Sequence, residues 1–178
     1  VDLLRRQEMT SVLVFTRTKQ AAGRLAETLG RRGFKVSVLH GDRSQSQRLH
    51  ALEQFRRGRN QVMVATDIAA RGIDIDDISH VINYDVPHTP EDYVHRIGRT
   101  ARAEATGDAF TLMDRVEQPQ VEAIEQVLKK SLPRITLPQF DYKLGGGDRG
   151  PHPAHRPQHP HRRSRHEGHR RSRHGPRP

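Results

Sequence analysis

Val12-Leu13-Val14-Phe15 is an unbroken apolar run, and the segment after it changes period. That pairing constrains the fold more than any other feature. An apolar run this short suits a strand buried on both faces. From Lys19 to Arg32, Ala22, Leu25, Ala26 and Leu29 recur at helical spacing, and Gly33 follows as a stop. The alternation then repeats. Val36–Leu39 reads as a second strand, Val62–Ala65 as a third, His80–Tyr84 as a fourth and Asp108–Met113 as a fifth. Ser44 and Gln47 fit a capping box that opens a helix through Leu49, Leu52 and Phe55, closed near Gly58. Val116 to Leu132 reads as the last helix, with Val121, Ile124, Val127 and Leu128 on one stripe. Repeated strand–helix–strand units predict an α/β fold, doubly wound, with a mostly parallel sheet, helices on both faces and right-handed crossovers.

In a chain of 178 residues this predicts one domain over residues 1–137 and a connecting segment over 138–144. Leu137 to Tyr142 either packs as a closing strap or extends away. From Gly145 onward Gly, Pro, His and Arg dominate, which predicts a disordered basic tail. The net charge of +10 is concentrated there: residues 1–144 hold 22 Lys/Arg against 19 Asp/Glu, and residues 145–178 hold 9 against 2. A basic tail points to a polyanion partner, with nucleic acid first among candidates.

There is no cysteine, so disulfides and Cys-based metal sites are excluded, in keeping with a reducing compartment. The tail histidines are irregularly spaced, and metal binding by them is expected to be adventitious. No apolar run reaches membrane-spanning length and no signal peptide is visible, so no membrane partner is expected. The chain opens on Val1 rather than Met, and an amino-terminal truncation is expected.

Ligands of open α/β sheets bind beyond the carboxyl ends of the strands. The unusual polar residues fall at those ends. Thr16-Arg17-Thr18-Lys19 ends the first strand, His40-Gly41-Asp42-Arg43 the second, and Thr66-Asp67 the third, which runs on into Arg71-Gly72-Ile73-Asp74. The hydroxyls of Thr18 and Thr66, the open backbone at Gly41 and the side chain of Arg48 suit phosphate oxygens. Asp42 and Asp67 would repel phosphate and read as caps or braces. Asp74 could accept from a ribose hydroxyl, or form an Asx turn.

Residues 93–103 carry Arg96, Arg99 and Arg102 at every third position. Thr89, Pro90 and Asp92 read as the N-cap and first turn of a helix, so the arginines are expected to begin on a helix and share a face. Asp92 is the expected local partner of Arg96. The sequence places no acidic residue at helical spacing from Arg99 or Arg102, and planar guanidinium forks suit an external phosphate. No Gly-x-x-x-x-Gly-Lys-Ser/Thr loop occurs, so the triphosphate itself is expected to be held elsewhere.

At these residues the chain resembles the second RecA-like domain of DEAD-box RNA helicases, in helicase superfamily 2 and of bacterial type. Val12–Lys19 is similar to motif IV, Gln45–Arg48 to motif IVa, Ala65–Asp74 to motif V and His95–Arg102 to motif VI. Ala101 stands where many members have Gly. The resemblance implies that Arg99 and Arg102 contact the γ-phosphate of ATP, with Gly72 and Asp74 near the ribose and phosphates. Thr18, Gly41, Gln45, Arg48 and Thr66 would line an RNA backbone path. Arg71, His95 and Arg96 would brace the interface with an amino-terminal RecA-like domain. That domain would bring the Walker loop, the Asp-Glu-Ala-Asp sequence and Mg²⁺, and a cytoplasmic setting is implied. Two other readings stand beside it: a non-enzymatic RNA-binding or annealing protein, and half of a DNA helicase.

Overall fold

Alternate side chains of the central strand face opposite layers, and this builds the domain. In a computed structural model of the chain, residues 1–5, 9–71, 78–100 and 107–136 are described. After a 3₁₀ turn at Leu3–Arg5, the order is β1 (Val12–Thr16), α1 (Lys19–Arg31), β2 (Val36–Leu39), α2 (Gln45–Arg56), β3 (Val62–Thr66), α3 (Asp67–Ala70), β4 (His80–Asn83), α4 (Pro90–Ile97), β5 (Asp108–Thr111) and α5 (Gln118–Leu128). All strand pairings are parallel and the sheet order is β2-β3-β1-β4-β5. The chain thus lays β2 and β3 on one side of β1, then crosses to β4 and β5 on the other. This is the doubly wound arrangement the sequence predicts.

The register aligns Val12 with Val62 and Leu13 with Met63, so like-facing side chains stack across strands. Val12, Val14, Val62 and Val64 join Ala22, Ala26 and Leu29 of α1 in one core layer. Leu13, Phe15, Met63 and Ala65 join Phe55 of α2 and Ala69 and Ala70 of α3 in the opposite layer. A third cluster, Val86, Tyr93, Val121 and Ile124, packs α4 against α5. β1 and β3 are buried along their full length, as expected of strands covered on both faces.

The predicted caps form. Thr18 accepts from the Ala21 amide at 3.1 Å to start α1. Gly33, at φ +88°, turns the chain out of that helix in a conformation that disfavours side chains. Ser44 and Gln47 close the reciprocal box on α2, and Thr89 caps α4 with Pro90 in its first turn.

Some boundaries and faces differ from expectation. α5 begins at Gln118, not Val116, and Val127 is 57% exposed. The stripe that packs is Val121, Ile124 and Leu128; Val127 sits 100° around the helix from Leu128 and faces away. β5 ends at Thr111, leaving Leu112 and Met113 partly exposed beyond the sheet. Leu49 lies on the outer side of α2.

Val1–Pro133 forms one compact unit and Arg134–Pro178 a second, of which only residues 134–136 are described. The predicted connecting segment 138–144 and tail 145–178 lie outside the described residues. Among the described residues, no helix is long and apolar enough to cross a membrane.

Candidate active site

The parallel register brings the strand tips to one edge. Thr16 pairs with Thr66, and Phe15 lies between Ala65 and Asn83. At this edge sits a small cleft lined by Phe15, Asp67, Ala70, Arg71, Asp92, His95, Arg96 and Arg99. Of the arginine triplet, Arg96 and Arg99 are here; Arg102 lies outside the described residues, as do Gly72 and Asp74.

Arg96 is the centre of the arrangement and is 3% exposed. Its Nε donates to Asp67 Oδ1 at 2.6 Å and its Nη2 to Asp67 Oδ2 at 2.8 Å, a two-pronged ion pair. Nη1 donates to Asn83 Oδ1 at 3.2 Å and to the Asp85 carbonyl at 2.9 Å. The guanidinium carbon stands 5.2 Å from the centre of the Phe15 ring, within cation–π range. A buried charge needs this degree of compensation.

The pairing corrects the sequence reading. Arg96 does not pair with Asp92. It turns inward and takes Asp67, while Asp92 accepts from Arg71 at 3.3 Å and from the Thr89 hydroxyl at 3.0 Å. Helical spacing makes Asp92 available to Arg96, but burial against the sheet selects the other carboxylate. The expected helix carries Arg96 but ends before Arg99, and a face shared with Arg102 falls outside the described residues. α4 stops at Ile97, Gly98 caps it, and the Arg99 amide makes a tighter turn to the Arg96 carbonyl at 3.2 Å. Arg99 is half-buried on the cleft wall, and His95 is exposed beside it.

The other predicted contact residues gather near the tips of β1, β2 and β3. Thr18 is exposed at the start of α1, Gly41 is exposed in the turn after β2, and Gln45 is the exposed first residue of α2. Thr66 is 9% exposed and caps α3 without a side-chain bond. Arg48 is half-buried, and its Nη2 donates to the Ala69 carbonyl at 3.3 Å, tying α2 to α3. Asp42 accepts from Lys19 at 2.9 Å, and this bond holds its carboxyl below the usual carboxylate range. Both Asp42 and Asp67 are therefore braces, as read from the sequence.

Sequence reasoning missed two members, Asn83 and Asp85, and gave Arg17 no role beyond its place at a strand end. Asn83 is fully buried and bridges Arg96 to the Thr111 hydroxyl at 3.0 Å. Asp85 accepts from the Arg17 amide at 2.8 Å. Arg17 reaches the Val86 carbonyl at 3.1 Å and Glu117 at 3.2 Å, joining β1 to the start of α5. An amide side chain at the end of the apolar run His80–Tyr84 was the available signal for Asn83.

A model of the helicase conserved C-terminal domain matches residues 1–104. The DEAD-box ATP-dependent RNA helicase CshA of Bacillus subtilis is 46% identical over 144 residues, which is 81% of this chain and 29% of the relative. The chain belongs to the DEAD-box helicases, as a C-terminal domain of bacterial type. It spans less than a third of the length of the curated relatives it matches. Solved DEAD-box structures agree. Escherichia coli SrmB, solved bound to regulator of ribonuclease activity A, superposes with a TM-score of 0.70 at 39% identity over 72% of this chain and 76% of that one. A DEAD-box protein of Methanococcus jannaschii gives 0.68 at 41% identity over 73% and 36%.

Proposed function

We propose that this DEAD-box domain is the second lobe of an ATP-dependent RNA helicase. In this reading it completes an ATP site whose floor belongs to a preceding lobe. The observation that supports it is the position of Arg99, on a cleft wall one turn past the fixed Arg96–Asp67 pair, at the edge where doubly wound sheets bind ligands. Arg99 and Arg102 would offer their forks to the terminal phosphate of ATP and stabilise charge that develops as it departs. Gly72 and Asp74 would lie near the ribose and phosphates.

Mg²⁺ would supply neutralisation of the β- and γ-phosphate oxygens. Among the described residues no three His, Asp or Glu side chains converge to hold a metal ion, and Asp67 is taken by Arg96. In this reading the ion and the phosphate-binding loop would come from the preceding lobe, which Arg71, His95 and Arg96 would help dock.

Thr18, Gly41, Gln45, Arg48 and Thr66 would contact the phosphates and sugars of one RNA strand, which gives affinity with little sequence preference. Closure of the two lobes around ATP would bend that strand so that a duplex cannot persist. The setting would be cytoplasmic.

The test is RNA-stimulated ATP hydrolysis and duplex separation by the two-lobe protein, this chain joined to the lobe that precedes it. Turnover that rises with RNA, and none from this chain alone, is expected. Equal stimulation by DNA would favour a DNA helicase. RNA annealing with no ATP turnover would favour a non-enzymatic RNA-binding protein.

A further inference from the structure

Arg99 lies past the end of α4, so regular helix does not hold it in place. Its backbone is bracketed by two buried residues, Arg96 at 3% and Thr100 at 4% exposure. The two are anchored at opposite ends of one strand. Arg96 is fixed at the carboxyl end of β4, to Asn83 and the Asp85 carbonyl. Thr100 is fixed just before the amino end of β4. Its hydroxyl donates to the Ile78 carbonyl at 2.8 Å, with the Ser79 carbonyl at 3.2 Å as a second acceptor. Its amide donates to the Ile97 carbonyl at 3.0 Å.

The anchor is closed from another side by Gly107. A Cβ there would lie 1.8 Å from the Thr100 hydroxyl oxygen, 2.7 Å from the Thr100 carbonyl oxygen and 2.9 Å from the Ser79 carbonyl oxygen. Only a residue without a side chain fits while Thr100 keeps its bond. Ser79 is in turn held, its hydroxyl donating to the Ser11 carbonyl at 2.8 Å and its amide to the same oxygen at 2.9 Å. The knot is therefore tied, through Ser79 and Ser11, to the residues just before β4 and β1.

We propose that Thr100 is a positioning residue for Arg99, acting through the knot it forms with Ile78, Ser79 and Gly107. This inference rests on the hydrolytic role proposed for Arg99. A hydroxyl that only satisfied two carbonyls would matter to stability alone. Here the bond sets the backbone one residue from a side chain whose task is directional, so its loss should appear in the chemical step.

The experiment compares Thr100→Val and Thr100→Ser in the two-lobe protein. Thr100→Val keeps the shape and removes the hydroxyl. It is expected to lower kcat for RNA-stimulated ATP hydrolysis by about 10- to 100-fold, the scale of a misplaced catalytic group. KM for ATP is expected to stay within about twofold, since the lost interaction acts in the transition state. Thr100→Ser restores turnover, and Gly107→Ala reproduces the loss. Wild-type turnover in Thr100→Val, a loss confined to KM, or a folded Thr100→Ser as slow as Thr100→Val would each overturn the proposal. Should Thr100→Val fail to fold, Thr100→Ala against Thr100→Ser decides by the same criterion. Absence of ATP hydrolysis in the wild-type two-lobe protein would instead defeat the helicase reading, and this inference with it.

Discussion

Arg96 grips Asp67 with two nitrogens, at 2.6 and 2.8 Å, from the buried side of α4 to the first residue of α3. The pair joins α3 to α4 beside the cleft. Removing the guanidinium leaves Asp67 and the fully buried Asn83 without their main partner. Asp67 keeps 28% side-chain exposure, which softens the cost. Arg96→Ala is predicted to destabilise the chain by about 3 kcal/mol, the lower end for a broken buried pair. Arg96→Lys should recover only part, because an ammonium cannot make the fork. Urea unfolding midpoints check both, and an Arg96→Ala midpoint equal to wild type would contradict the assignment.

The core reading gives a contrast between two leucines. Leu13 is 2% exposed in the α2-facing layer, and Leu49 is 58% exposed. Leu13→Ala should cost about 3 kcal/mol. Leu49→Ala should change stability by about 0.5 kcal/mol or less. Comparable losses at the two positions would mean that α2 buries its other face.

Arg48 combines a structural bond to the Ala69 carbonyl with a place beside the strand tips. As the proposed phosphate contact it would add affinity without sequence preference. Arg48→Gln is predicted to weaken binding to unrelated RNA sequences alike and to reduce the slope of log K against log salt by about 1. Arg31→Gln, at the far end of α1, serves as the control and should leave the slope unchanged. Fluorescence anisotropy across a salt series measures both. Deletion of residues 145–178 should flatten the slope further, since that segment carries 9 Lys/Arg against 2 Asp/Glu.

The Lys19–Asp42 bond gives a pH prediction. The hydrogen bond from Lys19 lowers the Asp42 pKa, with the lysine's charge acting in the same sense. A carboxyl depressed in the folded state stabilises the fold above its unfolded value. That contribution is lost as pH falls through the folded value, so the window lies on the acid side of about 4. An NMR titration should show Asp42 ionising below the ordinary range, and Lys19→Met should return it upward. An unmoved titration in Lys19→Met would show that the bond does not set it.

The sheet was legible because burial on both faces leaves an unmistakable mark: Val12–Phe15 and Val62–Ala65 are continuous apolar runs. The capping box at Ser44 and the N-cap at Thr89 were legible because their chemistry is local. The partner of Arg96 was not. Asp67 is 29 residues away in sequence, and spacing rules see only neighbours on the same helix. Burial chose between two carboxylates, and burial depends on how α4 lies on the sheet. Thr100 was hidden for a related reason, since its acceptors are backbone carbonyls that carry no mark in the sequence. Val127 was misread because a stripe one position too wide still looks periodic.

The most direct test of the account is single-turnover ATP hydrolysis by the two-lobe protein carrying Arg99→Ala, with ATP affinity measured on the same sample. The account predicts that the chemical step slows by about 10³-fold or more, with ATP still bound and Arg99→Lys scarcely better than Ala. Turnover within a few-fold of wild type would contradict it.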